Sequence, residues 1–171
     1  MNLNFKAPRR KPLLACVSSP FENSSHAAEE PERVRANVQS LIELWEKREA
    51  PCTHVRQKAP LRARKNSENG RLERAGDLIF EPVSFSLLQN LRFRNFYSDI
   101  GNPPIMLVGS DLETTILVTA VDSFLSKIPL CVVADAVSLS DKGKNHDKQC
   151  LVYALSNFVT ILQTGQLQDD G

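Results

Sequence analysis

Hydroxyls and carboxylates crowd one short stretch of this sequence, Gly109-Ser-Asp-Leu-Glu-Thr-Thr115. A hydroxyl attacks a carbonyl only when a nearby base takes its proton. Thiols are the other nucleophiles. The four cysteines, Cys16, Cys52, Cys131 and Cys150, are scattered and form no CxxC pair. Cys16 and Cys131 lie inside apolar runs, Leu13-Leu-Ala-Cys-Val17 and Leu130-Cys-Val-Val133, as buried reduced cysteines do, and all four are expected to be free. The three histidines, His26, His54 and His146, show no ligand spacing, so no metal site is expected. None of the seven glycines builds G-x-G-x-x-G or a P-loop, and no G-x-S-x-G elbow occurs, so no nucleotide or other cofactor is expected.

Such groups act only where elements hold them. Short apolar runs recur along the chain: Pro12 to Val17, Pro51 to Val55, Asp77 to Phe80, Ile105 to Val108, Pro129 to Ala134 and Phe158 to Leu162. Helical patterns separate them. Pro31 opens one with Val34, Val38, Leu41, Ile42 and Trp45 on a single face. Phe85, Leu88, Arg92 and Phe96, with Leu91 beside them, predict a second helix that Gly101-Asn-Pro-Pro104 stops. Ile116, Thr119, Ala120 and Ser123 mark one face of a helix over 112–126, and 146–157 has helical spacing. Six strands alternating with helices predict an α/β, Rossmann-like three-layer αβα sandwich on a mostly parallel sheet. Ligands of open parallel sheets sit beyond the carboxyl ends of the strands. The positions to inspect are therefore Val17 to Ser19, Arg56, Glu81 and Ser110 to Thr115; Ser110, Asp111, Leu112 and Glu113 are the candidate binding residues.

The chain has 171 residues, 42% hydrophobic and 24% charged, with a formal net charge of +1. That suits one domain, expected over 12–167 between a basic tail at 1–11 and a short tail at 168–171. Near-neutral charge gives no reason to expect nucleic acid or an anionic membrane as partner. No apolar run approaches the ~18 residues of a bilayer span, and the first ten residues lack the core of a signal peptide. A soluble, cytoplasmic protein is expected. Seven basic residues stand in 56–76 against Glu68 and Glu73, with no aromatic interleaved to stack on bases.

The segment Gly109-Ser-Asp-Leu-Glu-Thr-Thr115-Ile-Leu-Val-Thr119-Ala120-Val-Asp122 resembles the signature of the isochorismatase-like cysteine hydrolases, G-V-x-T-D-V-C-V-x-x-T-A-x-D. The glycine, the Thr-Ala pair and the aspartate align without a gap. Val132-Val-Ala-Asp-Ala136, with His146 and Leu151 after it, is similar to a second segment of that family. Cys52-Thr-His-Val-Arg56 looks like its second strand, V-x-H-V-R, and Leu13 to Val17 takes the place of its first. The resemblance implies sheet order 3-2-1-4-5-6 and hydrolysis of amides or vinyl ethers by an Asp, Lys and Cys set. In that set the cysteine attacks as thiolate, the aspartate moves the proton and the lysine lowers the thiol pKa. A turn after the fourth strand, often with a non-proline cis peptide, supplies N–H groups for the oxyanion. The resemblance also implies a homo-oligomer, a dimer or tetramer, to which Trp45 and the helix from Phe85 to Phe96 would bring apolar surface.

This chain departs from the pattern at all three catalytic positions. The cysteine position is Thr115, the aspartate position is Val17, and the lysine position falls near Glu81. The branch that cleaves isochorismate does without the cysteine but keeps the other two. No base is evident for Thr115, and Cys16 is the fallback nucleophile. The expectation is a pseudoenzyme that serves as a binding or assembly module. One alternative is an active hydrolase using displaced groups, Cys16 or Thr115 with Asp111, Glu113 or Glu81. Another is an interaction protein whose basic loop, 56–76, docks an acidic protein partner.

Overall fold

Ile105, Met106, Leu107 and Val108 are all buried, and a strand buried on both faces belongs in the middle of a parallel sheet. The computed structural model, which describes residues 11–18, 29–57, 78–80, 85–139 and 147–168, places it there. Six parallel strands, β1 (Leu13–Ser18), β2 (Cys52–Gln57), β3 (Leu78–Phe80), β4 (Ile105–Gly109), β5 (Leu130–Val137) and β6 (Thr160–Leu162), run in the order β3-β2-β1-β4-β5-β6. The chain builds outward from β1 in one direction, then returns to β4 and builds outward in the other. The boundary between β1 and β4 is therefore the switch point, where a ligand crevice opens in such sheets.

Alternation along the strands divides the core in two. Leu13, Ala15 and Val17 of β1, Ile105 and Leu107 of β4, and Leu130 and Val132 of β5 face one layer. That layer includes Phe93 and Tyr97 of α2 (Leu91–Asp99), Ala120 of α3 (Leu117–Leu125) and Leu155 of α4 (Lys148–Leu155). Leu14, Cys16, Met106, Val108, Cys131 and Val133 face the other layer, where Leu41 and Trp45 of α1 (Glu29–Lys47) cover them. A short α5 (Thr164–Gln168), unforeseen in the sequence, lies on the α1 side.

Two expectations need correction. Trp45 offers no interface: it is almost fully buried, its Nε1 donates to the Pro12 carbonyl at 2.8 Å, and the Arg48 guanidinium lies 5.9 Å above its ring. The helix foreseen from Phe85 is broken in two. Ser86 caps a 3-10 turn at Leu87–Gln89, and Asn90, extended at φ −81° and ψ 122°, caps α2 by accepting from the Phe93 N–H. That shift in phase turns Phe93 and Tyr97 inward as a stacked pair with centroids 6.0 Å apart and leaves Leu91 exposed, while Phe85, ahead of the first cap, is exposed as well. Of the basic stretch 56–76, only the backbone of Arg56 and Gln57 is described; the rest lies outside the described residues, as do Glu81 and His146.

Asp135 of β5 ties three elements together. Its Oδ1 accepts from the Thr164 N–H at 2.9 Å and hydroxyl at 3.0 Å, capping α5, while its carbonyl accepts from Asn37 Nδ2 of α1 at 2.7 Å. Asp135→Ala is expected to cost about 1–2 kcal/mol, the usual worth of a lost cap. Asp135→Asn, which keeps an acceptor oxygen, should lose less than half of that. Urea unfolding midpoints decide it; equal losses in the two variants would assign the effect to charge rather than to the cap.

Candidate functional site at the switch point

The site grows from Gly109, the last residue of β4. Its φ of 110° is one that residues with a side chain rarely adopt, and a Cβ built there would stand 2.0 Å from the Val17 carbonyl oxygen. β1 and β4 thus meet backbone to backbone. The same carbonyl accepts from the Ser110 N–H at 2.9 Å. On the other side, the Ser138 N–H donates to the Gly109 carbonyl at 2.9 Å and the Leu112 N–H donates to the Ser138 carbonyl at 3.1 Å. The turn is pinned between the ends of β1 and β5, and it adjoins a register irregularity in the β4–β5 pairing.

Asp111 follows with φ 74° and ψ 44°, a left-handed conformation that aspartate tolerates better than most residues. Its carbonyl accepts from the Ile116 N–H at 3.2 Å, closing one wide π-helical turn over Leu112–Ile116 before α3 begins. Its side chain turns back into that turn. Asp111 Oδ2 accepts from the Thr115 N–H at 3.3 Å and from the Thr115 hydroxyl at 2.6 Å. Thr115 is 2% exposed and Asp111 7%. The carboxylate balances the positive end of the helix and consumes two donors there. Among the described residues no peptide bond is cis, so the turn differs here from what the resemblance implied.

Val17, Ser110, Asp111, Leu112 and Thr115 therefore do converge, as expected from their positions after strands. Glu113 sits half-buried on the π-helical turn. Val17 is a buried apolar side chain packed in the layer that holds Leu112 and Ile116, so an aliphatic group stands where the resemblance puts a carboxylate. Cys16 does not join them. One residue from Val17 in a strand means the opposite face of the sheet, and Cys16 packs under α1 with Leu14 and Met106. The fallback nucleophile is thereby corrected: a thiol on the far face cannot reach Thr115. Glu81 lies outside the described residues.

The reading that Thr115 lacks a base is also corrected, because Asp111 touches its hydroxyl. The pair is an aspartate four residues before a threonine at a strand-to-helix turn, one residue beyond the ordinary reach of a helix cap, and the wide π-helical turn brings them together. It is closed as well as close. An acyl acceptor needs an exposed oxygen and free N–H donors, and here the hydroxyl and the N–H of residue 115 both serve Asp111. The remaining signature residues hold structure. Thr119 Oγ1 accepts from the Leu87 N–H at 3.0 Å, the fully buried Ala120 sits in the core, and Asp122 Oδ2 accepts from Gln89 Nε2 at 3.2 Å. Together they anchor the 3-10 turn against α3.

No protein-family model matches the sequence, and no curated protein matches it either. Solved structures do. An isochorismatase from Pseudomonas putida superposes with a TM-score of 0.72 at 14% identity, covering 91% of this chain and 89% of that one. N-carbamoylsarcosine amidase from Thermoplasma acidophilum gives 0.65 at 19% identity over 90% and 96% of the two chains. The MAR1 ribonuclease of Caenorhabditis elegans gives 0.63 at 18% identity over 92% and 79%. The chain has the isochorismatase-like α/β fold, and neighbours so different in chemistry show that the fold alone names no reaction.

Proposed function

We propose that this chain uses an isochorismatase-like fold without its hydrolytic chemistry, as a binding or assembly module. The observation that carries the reading is the closed Asp111–Thr115 pair, which stands where the resemblance puts the nucleophile and its oxyanion donor. Val17 supports it by leaving the end of β1 without a carboxylate to move protons. Among the described residues no helix is long and apolar enough to cross a membrane, and the module is read as cytoplasmic. It is read as a homo-oligomer too, for which Phe124, Leu125 and Tyr153 expose apolar surface.

The purified chain is expected to leave nicotinamide, an N-carbamoyl compound and isochorismate uncleaved above the enzyme-free rate. Turnover that Thr115→Ala or Asp111→Asn abolishes would overturn the proposal, and would turn the pair into a hydroxyl nucleophile with its carboxylate base. Turnover unchanged by both substitutions would instead mark a contaminating hydrolase.

A further inference from the structure

On the α1 side of the sheet, two of the four free cysteines meet. β1 and β2 pair with Leu14 opposite Cys52 and Cys16 opposite His54. Cys16, Cys52 and His54 thus project from one face, with the cysteines on the diagonal between neighbouring strands. Their surroundings differ. Cys16 is buried against Met106, Val108 and Trp45, whereas Cys52, the first residue of β2, is half-buried at the sheet's amino end. The two thiols shift each other's titration, Cys16 upward and Cys52 downward.

We propose that Cys52 is a reversible oxidation site for a peroxide, with Cys16 as the thiol that resolves it into a Cys16–Cys52 disulfide. Nothing in the hydrolase-like site uses either residue. The chemistry has two balanced steps. The Cys52 sulfur attacks one peroxide oxygen, an S–O bond forms as the O–O bond breaks, and the thiol proton leaves with the departing oxygen as water (or as alcohol from an organic peroxide). Cys16 sulfur then attacks Cys52 sulfur, forming S–S and breaking S–O, and its proton joins the departing hydroxyl as a second water. Two thiols are oxidised and one peroxide is reduced.

Placement assigns the order of attack. Oxidation begins on the thiol that is reachable and most readily a thiolate. Neighbouring Cys16 lowers the Cys52 pKa, against the opposing effects of burial and of Glu46 on α1, while Cys52 and burial together raise Cys16 well above the ordinary thiol range. The other two cysteines are poorly suited. Burial pushes Cys131 up to about 12, and Cys150, though exposed, donates to Asp147 Oδ2 at 3.3 Å, which holds its pKa up. The Leu14 N–H already donates to the Pro51 carbonyl at 2.9 Å, so the start of β2 lies against β1 where the two sulfurs would close to about 2.05 Å. The bond would close a loop that contains the whole of α1.

The test treats the reduced full chain with a small excess of hydrogen peroxide, blocks remaining thiols with N-ethylmaleimide under denaturing conditions, and maps the peptides by mass spectrometry. The expected product is a Cys16–Cys52 linked peptide that has lost two hydrogens, with Cys131 and Cys150 alkylated and the link undone by dithiothreitol. In Cys16→Ala, Cys52 should stop at a sulfenic acid that dimedone traps. Cys52→Ser, a substitution at a half-buried strand end, should leave Cys16 unoxidised. Consumption of Cys150 ahead of Cys52 would overturn the proposal. So would sulfinic acid at Cys52 without any linked peptide in the unsubstituted chain, or oxidation of Cys16 in Cys52→Ser.

Discussion

Gly109→Ala is expected to remove about 4 kcal/mol or more of stability, a large share of the ~5–15 kcal/mol that ordinarily holds a domain folded. Two causes add. A φ of 110° is strained for any residue with a Cβ, and that Cβ would sit 2.0 Å from the Val17 carbonyl oxygen, where only the backbone of β1 or β4 could move. Moving either strand breaks the Ser110 N–H bond to that carbonyl and releases the turn that carries Asp111. Gly165 is the internal control. Nothing lies within 4 Å of a Cβ built there, and it stands within α5, so Gly165→Ala should be neutral or gain about 0.5–1 kcal/mol. Circular dichroism and urea unfolding of the two variants measure the contrast. A Gly109→Ala protein within about 1 kcal/mol of the parent would mean that β1 and β4 separate easily and that the turn between them is not rigid.

The second large effect concerns Thr115→Cys. The cysteine that the resemblance puts at this position should not become a reactive thiol here. The Asp111 carboxylate, 2.6 Å from the present hydroxyl, would take the new thiol's proton as a hydrogen bond and oppose a thiolate beside it. The molecule already contains this arrangement in an exposed form: Asp147 caps α4, accepts from Cys150, and raises that thiol. A raised pKa means less thiolate at any pH below it, so iodoacetamide labelling at position 115 should turn on above the ordinary ~8.5. Adding Asp111→Gly removes the carboxylate at a φ of 74° that glycine adopts freely. The helix N-terminus then favours the thiolate, and labelling near pH 7.5 should rise by about tenfold or more, the equivalent of one pKa unit. Peptide-resolved labelling separates position 115 from the native cysteines. Identical profiles with and without Asp111 would show that its carboxylate does not govern the site, and the case for a closed, non-catalytic centre would fall with it.

Most of the sheet is legible in the residue pattern alone. Runs such as Ile105 to Val108 and Leu130 to Ala134 announce strands buried on both faces, and a glycine between strand and helix announces a turn where backbones approach. The face Ile116, Thr119, Ala120 and Ser123 is buried as its spacing requires. These features are local, since each depends on residues within one or two turns of chain. The misread elements depend on phase. One extended residue at Asn90 rotates every later side chain of the expected helix, turning Phe93 and Tyr97 inward and Leu91 outward.

The site is legible as positions and not as contacts. Val17, Ser110, Asp111, Leu112 and Thr115 come together because strands of one parallel sheet end on one edge, which the order of elements already implies. That Asp111 closes upon Thr115 requires a left-handed residue and a π-helical turn, and no residue pattern demands either. That Cys16 leaves this site and meets Cys52 requires the register of β1 against β2. Sequence alone determined which residues are apolar, which are nucleophilic and which segments are extended. Tertiary structure alone decided who faces whom, because side chains in a strand alternate at every residue, and a single step in register exchanges the two faces of the sheet.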